Sequence, residues 1–444
     1  VSRSLGIGVA AVNGGLGESS SPYLYRSFAL VSECGETLSF ALQSGPDADC
    51  CQSCADVDSD VIRSRKRHRL TAQPLFSASK AVNKPGLLRM LRTNPFLPER
   101  NADRFLGELF SLQVEALAAR MSNTGIQKLV LGVSGGLDST LAALVAAKAL
   151  DSLGLPRHNL IGVTLPGFGT SDRTYYNALS MLETLEADSR DISIRAAVLQ
   201  HFEDIGQDPA LHDVTYENAQ ARERAQILLD LSNKERALAV GTGDLSEAAL
   251  GWSTFAGDQI ASYNVNICLT KTLVRQVVGY VARKELLPGL SEVLGDILDT
   301  PVSPELLPPE ENGEIRQKTE EILGPYELHD FFLYYLVNYQ FRPTKIYHYA
   351  CRAFAGTLEP AFILEKLKLF FRRFFAGQFK RSCSPDTAAI TDVNLCGVQF
   401  YIPSDASAAA FLEELEALSQ QECAQKQRQE ASLQTEEREE VPPQ

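Results

Sequence analysis

One stretch limits what this chain can fold into more than any other: Lys128-Leu-Val-Leu-Gly-Val-Ser-Gly-Gly-Leu-Asp-Ser-Thr140. Leu129 to Val133 reads as a short buried strand, Ser134 to Leu137 as a tight loop, and Asp138 to Leu150 as a helix of strong helix formers. The first N–H groups of such a helix have no partner inside it and carry the positive end of its dipole, so the junction suits an anion. Gly135 and Gly136 let backbone approach a phosphate, and Ser134, Ser139 and Thr140 add hydroxyl donors. The Lys of a Walker A loop is missing, so a nucleotide is not held in that manner. An acid at Asp138 beside a phosphate cradle makes sense when a hard cation lies between them; the plainer reading is an Asp capping an ordinary helix.

The pattern then repeats in α/β fashion. Leu160 to Leu165 reads as a strand, Arg173 to Leu185 as a helix and Asp191 to Ile194 as a strand. Ala196 to Ile205 and Tyr216 to Leu231 read as helices, and Ala237 to Val240 as a fourth strand. Strands separated by helices predict a parallel sheet with helices on both faces and ligands at the C-terminal strand ends. Pro166-Gly-Phe-Gly-Thr170 follows one such end, as a cleft lining or a simple loop. The fourth strand opens into Gly241-Thr-Gly-Asp-Leu-Ser-Glu247, which puts Thr242, Asp244 and Glu247 near Ser134 to Ser139 if the two strands are close. Asp244 and Glu247 fit a capping box; beside Asp138, Glu247 also fits a second magnesium carboxylate.

The flanks are less informative. Residues 1–45 carry β-like runs (Leu5 to Val12, Tyr23 to Val31, Thr37 to Leu42), two of which could form a hairpin, too short for a core of their own. Residues 46–100 read as a linker holding the basic run Arg63 to Arg69, which suits an anionic partner, a solvated linker or a salt-bridged helix end. Cys50-Cys51-Gln-Ser-Cys54 lacks a second pair for zinc and reads as a polar loop. From Ala102 to Ser122 the apolar spacing predicts an amphipathic helix opening the compact domain, 101–405. In the tail, 406–444, Ala408 to Ala417 suggests one helix, and the Gln- and Glu-rich remainder a disordered or solvated helical segment. A formal charge of -14 speaks against a nucleic-acid surface. No apolar run suits a bilayer and scattered cysteines suit reduced thiols, so the expectation is a cytoplasmic protein with no membrane contact.

Ser-Gly-Gly-x-Asp-Ser resembles the pyrophosphate loop of the ATP pyrophosphatases, whose PP-loop fold is adenine nucleotide α-hydrolase-like. With Thr164 to Thr174, Asp213 to Arg222, Gly241 to Trp252 and Tyr263-Asn-Val-Asn266, the chain resembles the synthetase domain of glutamine-dependent NAD synthetases. Asp296 to Leu306, Gly324 to Phe332 and Phe379 to Cys383 extend the likeness. Residues 1–45 resemble the last strands of that family's nitrilase-like αββα glutaminase domain. No glutaminase nucleophile is assignable, and the expectation is that the chain as given does not hydrolyse glutamine.

The resemblance implies ATP-dependent amidation of deamido-NAD (nicotinic acid adenine dinucleotide) to NAD through an NAD-adenylate, with AMP and pyrophosphate released. It assigns ATP to Ser134, Gly135, Gly136, Leu137, Asp138, Ser139 and Thr242, and Mg2+ to Asp138 and Glu247. Asn218, Glu247, Trp252 and Lys380 go to deamido-NAD; Lys380 alternatively meets a phosphate or a helix dipole. The shorter synthetases carry a Lys soon after the Glu247 position, where this chain has Ser253-Thr-Phe-Ala256, and Lys271 is the substitute guessed. Nitrogen comes from glutamine in the full-length family and is expected from ammonia, or from a separate glutaminase, here. The family implies homo-oligomers. The competing readings are another PP-loop amidotransferase, such as a GMP synthetase, or a non-catalytic subunit.

Overall fold

In a computed structural model, residues 1–15, 19–42, 51–69, 91–300, 306–307, 322–396, 400 and 402–421 are described. The chain opens with a helical turn, α1 (Ser2–Leu5), and three strands, β1 (Gly8–Val12), β2 (Phe28–Glu33) and β3 (Glu36–Leu42). These form an antiparallel sheet in the order β1-β2-β3, so three strands pair where two were expected. Arg26 grips Glu115 with two hydrogen bonds, and Ser20 and Pro22 accept from the Tyr263 hydroxyl and the Ala389 N–H, which ties this sheet's connecting loop to the main body. The basic run lies at the end of helix α2 (Ser59–Arg69), where Arg63 pairs with Asp60. Cys50 and the prolines at 74 and 85 lie outside the described residues.

The main body is a five-stranded, fully parallel sheet. After α3 (Ala102–Thr124), β4 (Leu129–Gly132) leads into α4 (Leu137–Ser152), then β5 (Leu160–Thr164), α5 (Asp172–Thr184) and β6 (Asp188–Asp191). Next come α6 (Arg195–Ile205), α7 (Val214–Glu235), β7 (Leu238–Gly241), α8 (Leu245–Leu250) and β8 (Tyr263–Asn264). The helical remainder is α9 (Lys271–Arg283), α10 (Ser291–Leu298), α11 (Tyr326–Tyr339), α12 (Pro343–Ala353), α13 (Pro360–Ala376) and α14 (Gln378–Arg381). The strand order is β6-β5-β4-β7-β8. Leu129 and Leu131 of β4 face one apolar core while Val130 between them faces a second, so both faces of the sheet are covered. Helix α4 is apolar almost all round and packs against both α3 and α9, which is why its sequence shows no amphipathic stripe.

One expectation needs correction. The strand predicted at Asp191 to Ile194 runs three residues earlier, as Asp188–Asp191. Among the described residues this is an edge strand paired only to β5 and made of polar residues, with Arg190 bonded to Asp188 and Glu235, whereas the apolar Ile194 that suggested a strand is buried at the start of α6. Within the linker, Phe96 is buried against Tyr334 and Thr93 bonds Glu327. The helix expected at Ala408 to Ala417 is present, spanning 409–421, where it packs Phe411 on Phe371 and Phe375 and buries Leu415 completely, while 422–444 lie outside the described residues.

Candidate functional site

The strand order sets where the site can be. From β4 the chain moves outward on one side to β5 and β6, and later returns to place β7 on the other side, so the gap above the C-terminal ends of β4 and β7 is a topological switch point. The loop Ser134–Gly136 with the start of α4 emerges on one side of this gap, and Thr242 with the start of α8 on the other. Gly135 has φ +81°, and a Cβ there would fall 2.0 Å from the Thr174 carbonyl oxygen, so the loop runs against the segment after β5 in a way only glycine permits. Gly136 has extended backbone, and its Cβ would meet nothing nearer than the Ser134 hydroxyl at 3.4 Å. Ser134 and Ser139 bond one another at 3.1 Å, and Ser134 also accepts from the Gly136 N–H. Leu137 and Thr140 turn inward: both are buried, so Leu137 can offer a ligand only its backbone.

Asp138, Asp244 and Glu247 converge. Their ligand oxygens lie within 4.8 Å of one another, the one such acidic, His or Cys group among the described residues. Asp244 was read only as a cap, and it is one: it accepts from the Glu247 N–H while the Glu247 carboxylate accepts from the Asp244 N–H, a complete capping box. The same two side chains also face Asp138 across the switch point, so the capping and the acidic readings hold together. Between the three carboxylates stands Lys271, with its Nζ 2.6 Å from Asp138 Oδ2, 2.6 Å from Asp244 Oδ2 and 2.9 Å from Glu247 Oε1. Its ammonium also sits 5.5 Å from the centre of the Tyr326 ring. Burial works against the Lys271 charge, yet the three carboxylates outweigh it and hold the ammonium well above the ordinary lysine range. Burial pushes Glu247 up to about 7 and holds Asp244 well above the ordinary carboxylate range, each helped by the Asp138 charge.

Three carboxyl groups crowd one ammonium, and Asp138 Oδ1 is buried with no hydrogen-bond partner. An oxygen donor set with a spare buried oxygen fits a hard divalent cation. Asn266 holds the two sides of the gap together, donating to the carbonyls of Asp138 at 2.8 Å and Thr242 at 3.1 Å, while Gln113 donates to the Asn266 side-chain oxygen.

Asp244, Glu247 and Lys380 line a common pocket with Gly251, Ser253, Gln259 and Asn264. Lys380 is anchored there, donating to the carbonyls of Gly251 at 2.8 Å and Ser253 at 2.6 Å; burial lowers its pKa. Asn218 accepts from Thr254 beside this pocket, and Trp252 lies under the Arg373 guanidinium, 4.6 Å from the ring centre. Neither side chain lines the pocket itself.

A family model described as NAD synthase matches residues 109–351, a span that includes the phosphate loop, all three carboxylates and Lys271. The chain belongs to the NAD synthase family. It is 36% identical over 407 residues to a glutamine-dependent NAD(+) synthetase of Mycobacterium leprae, covering 82% of this chain and 60% of that protein. A protein of the same description from Mycobacterium tuberculosis H37Rv is 34% identical over the same coverage. The chain therefore spans about 60% of the length of these relatives. The crystal structure of a glutamine-dependent NAD(+) synthetase from Cytophaga hutchinsonii shares the fold, with a TM-score of 0.63 at 18% identity over 89% of this chain and 63% of that one. Within this family frame, what the local pattern missed is non-local: Asp244 as a third carboxylate, Tyr326 under Lys271 and Asn266 across the gap. Among the described residues no helix is long and apolar enough to cross a membrane.

Proposed function

We propose that this chain carries out the synthetase reaction of NAD formation. The nicotinate carboxylate of deamido-NAD attacks the α-phosphorus of ATP, pyrophosphate departs, and ammonia then displaces AMP from the NAD-adenylate to give NAD. The observation that carries this reading is the convergence of Asp138, Asp244 and Glu247 at the switch point beside the Gly135 loop. A carboxylate nucleophile is ionised at neutral pH, so the first step needs no general base. It needs alignment and neutralised phosphate charge. The first N–H groups of α4 and the hydroxyls of Ser134 and Ser139 take the pyrophosphate, and Thr242 contacts ATP from the β7 side. Asp138 and Glu247, with Asp244 beside them, would hold Mg2+, which when bound neutralises phosphate oxygens. Lys271 adds a cation at the same place. Asn218, Trp252 and Lys380 serve the deamido-NAD side, where Lys380 shapes the pocket wall through Gly251 and Ser253.

Ammonia is the nitrogen donor for the chain assayed alone, and glutamine serves only where a glutaminase delivers its ammonia. A cytoplasmic homo-oligomer is the assembly the family likeness favours. The test measures AMP release and NAD formation from ATP, ammonium chloride and deamido-NAD, with xanthosine monophosphate as a competing acceptor and glutamine as a competing donor. Turnover with deamido-NAD and ammonium supports the reading. Turnover with xanthosine monophosphate alone sinks it, and strong use of glutamine overturns the nitrogen assignment.

A further inference from the structure

Asp330, in the stretch Gly324 to Phe332, is a carboxylate that the reaction does not touch and that the fold keeps buried, at 1% exposure. Its Oδ1 accepts from the Ser246 hydroxyl at 2.5 Å and its Oδ2 from the Thr272 hydroxyl at 2.6 Å. The Thr272 N–H, one of the unpaired donors at the start of α9, points to the same Oδ2 at 3.4 Å. Ser246 in turn accepts from the Lys271 N–H at 2.8 Å. One side chain on α11 therefore joins the first turn of α8 to the first turn of α9.

The neighbours of these contacts give the arrangement its meaning. Ser246 directly precedes Glu247, and Thr272 directly follows Lys271. The tie lies one residue from each of two groups that meet at 2.9 Å in the site. Among the described residues no cation pairs with Asp330; burial pushes it up to about 6, opposed by hydrogen bonds from Ser246, Thr272 and Thr270. A buried carboxylate without an ion partner is costly for a fold to keep, and an apolar residue of similar size would fill the space at less cost.

We propose that Asp330 is a positioning residue that fixes the Lys271 ammonium and the Glu247 carboxylate relative to one another through Ser246 and Thr272. The inference rests on the ATP-site reading given under the proposed function. Asp330 acts through Lys271 and Glu247, so its removal matters only while those groups are present.

A double-mutant cycle tests this. MgATP affinity by calorimetry, pyrophosphate release and melting temperature are measured for wild type, Asp330→Asn, Lys271→Met and the double variant. The expected result for Asp330→Asn is a loss of about tenfold in kcat/KM for ATP and in MgATP affinity, shrinking to less than about twofold in the Lys271→Met background. Equal losses in the two backgrounds overturn the proposal, because a purely structural role adds independently. The same cycle with Glu247→Gln, which keeps shape and removes charge, decides the matter if Lys271→Met does not fold. Ser246→Ala reproduces the Asp330→Asn loss if the tie runs as described, and wild-type behaviour of Ser246→Ala counts against it. Wild-type protein that binds MgATP but forms no NAD fails the proposed reaction and leaves the affinity cycle readable. Protein that forms NAD yet shows additive losses fails the positioning role alone.

Discussion

The ammonium of Lys271 lies 2.6 Å from Asp138, although 133 residues separate them in the chain. The contact spans the switch point, since Asp138 follows β4 while Lys271 opens α9, after the chain has laid down β7 and β8. Lys271 reaches Glu247 as well, 24 residues upstream, so one cation stabilises acidic groups from both sides of the gap.

Removing that cation leaves three facing carboxyl groups without their ammonium partner in a largely buried place. Lys271→Met is expected to lose about 3–5 kcal/mol of stability, the usual cost of stranding a buried charge. Millimolar magnesium chloride should then raise the variant's melting temperature more than the wild type's, with sodium chloride of equal ionic strength as the control. An identical response of the two proteins to magnesium contradicts the cation-site assignment.

The two loop glycines should behave differently. Gly135→Ala meets both a positive φ and the Thr174 carbonyl, and is expected to cost on the order of 3 kcal/mol and to disrupt ATP binding. Gly136→Ala has extended backbone and open space, so its melting temperature should stay within a few degrees of wild type. Chemical denaturation of the two variants checks this, and equal destabilisation contradicts it.

Asp138→Ala and Glu247→Ala are each expected to lower magnesium-dependent pyrophosphate release by about 100-fold or more, the range for removing a preorganised charge from a phosphoryl-transfer site. The far-ultraviolet circular dichroism spectrum should be unchanged. Full activity in either variant would falsify the metal role of that carboxylate.

Adjacent buried residues on α11 give opposite pH dependences. Burial pushes Asp330 up to about 6, so between pH 4 and 6 the folded chain holds a proton that the unfolded chain has lost, and stability falls as pH rises through that window. Burial pushes His329 down to about 4, so between pH 4 and 6.5 the unfolded chain holds the extra proton, and stability rises with pH. Each contributes on the order of 3 kcal/mol over its window, and in the wild type they largely offset. Asp330→Asn should therefore become more stable, relative to wild type, as pH rises from 4 to 6, and His329→Gln less stable. Urea midpoints across this range measure it, and slopes of the same sign contradict the assignment.

Much of the framework was legible because it is written locally. Leu129 to Val133 form a continuous apolar run, a paired glycine follows, and alanine-rich helix comes next, so strand, loop and helix each carry their signal within a few residues. Asp244 and Glu247 announced a helix start by the same short-range logic, and the capping box is there. The edge strand Asp188–Asp191 was misplaced because its residues are polar and nearby Ile194 carries the apolar signal into a helix start.

Sequence alone determined that the chain has a phosphate-type loop in a parallel α/β frame, since backbone conformation and apolar period are properties of neighbouring residues. Only the tertiary structure decided that Lys271 closes on Asp138, Asp244 and Glu247, and that Asp330, 58 residues from Thr272 and 84 from Ser246, ties the helices that carry two of them. Those meetings follow from β7 pairing beside β4 and from α11 packing on α8 and α9. Long-range burial of apolar surface drives that assembly, and it leaves no mark in the local spacing of the polar residues it brings together.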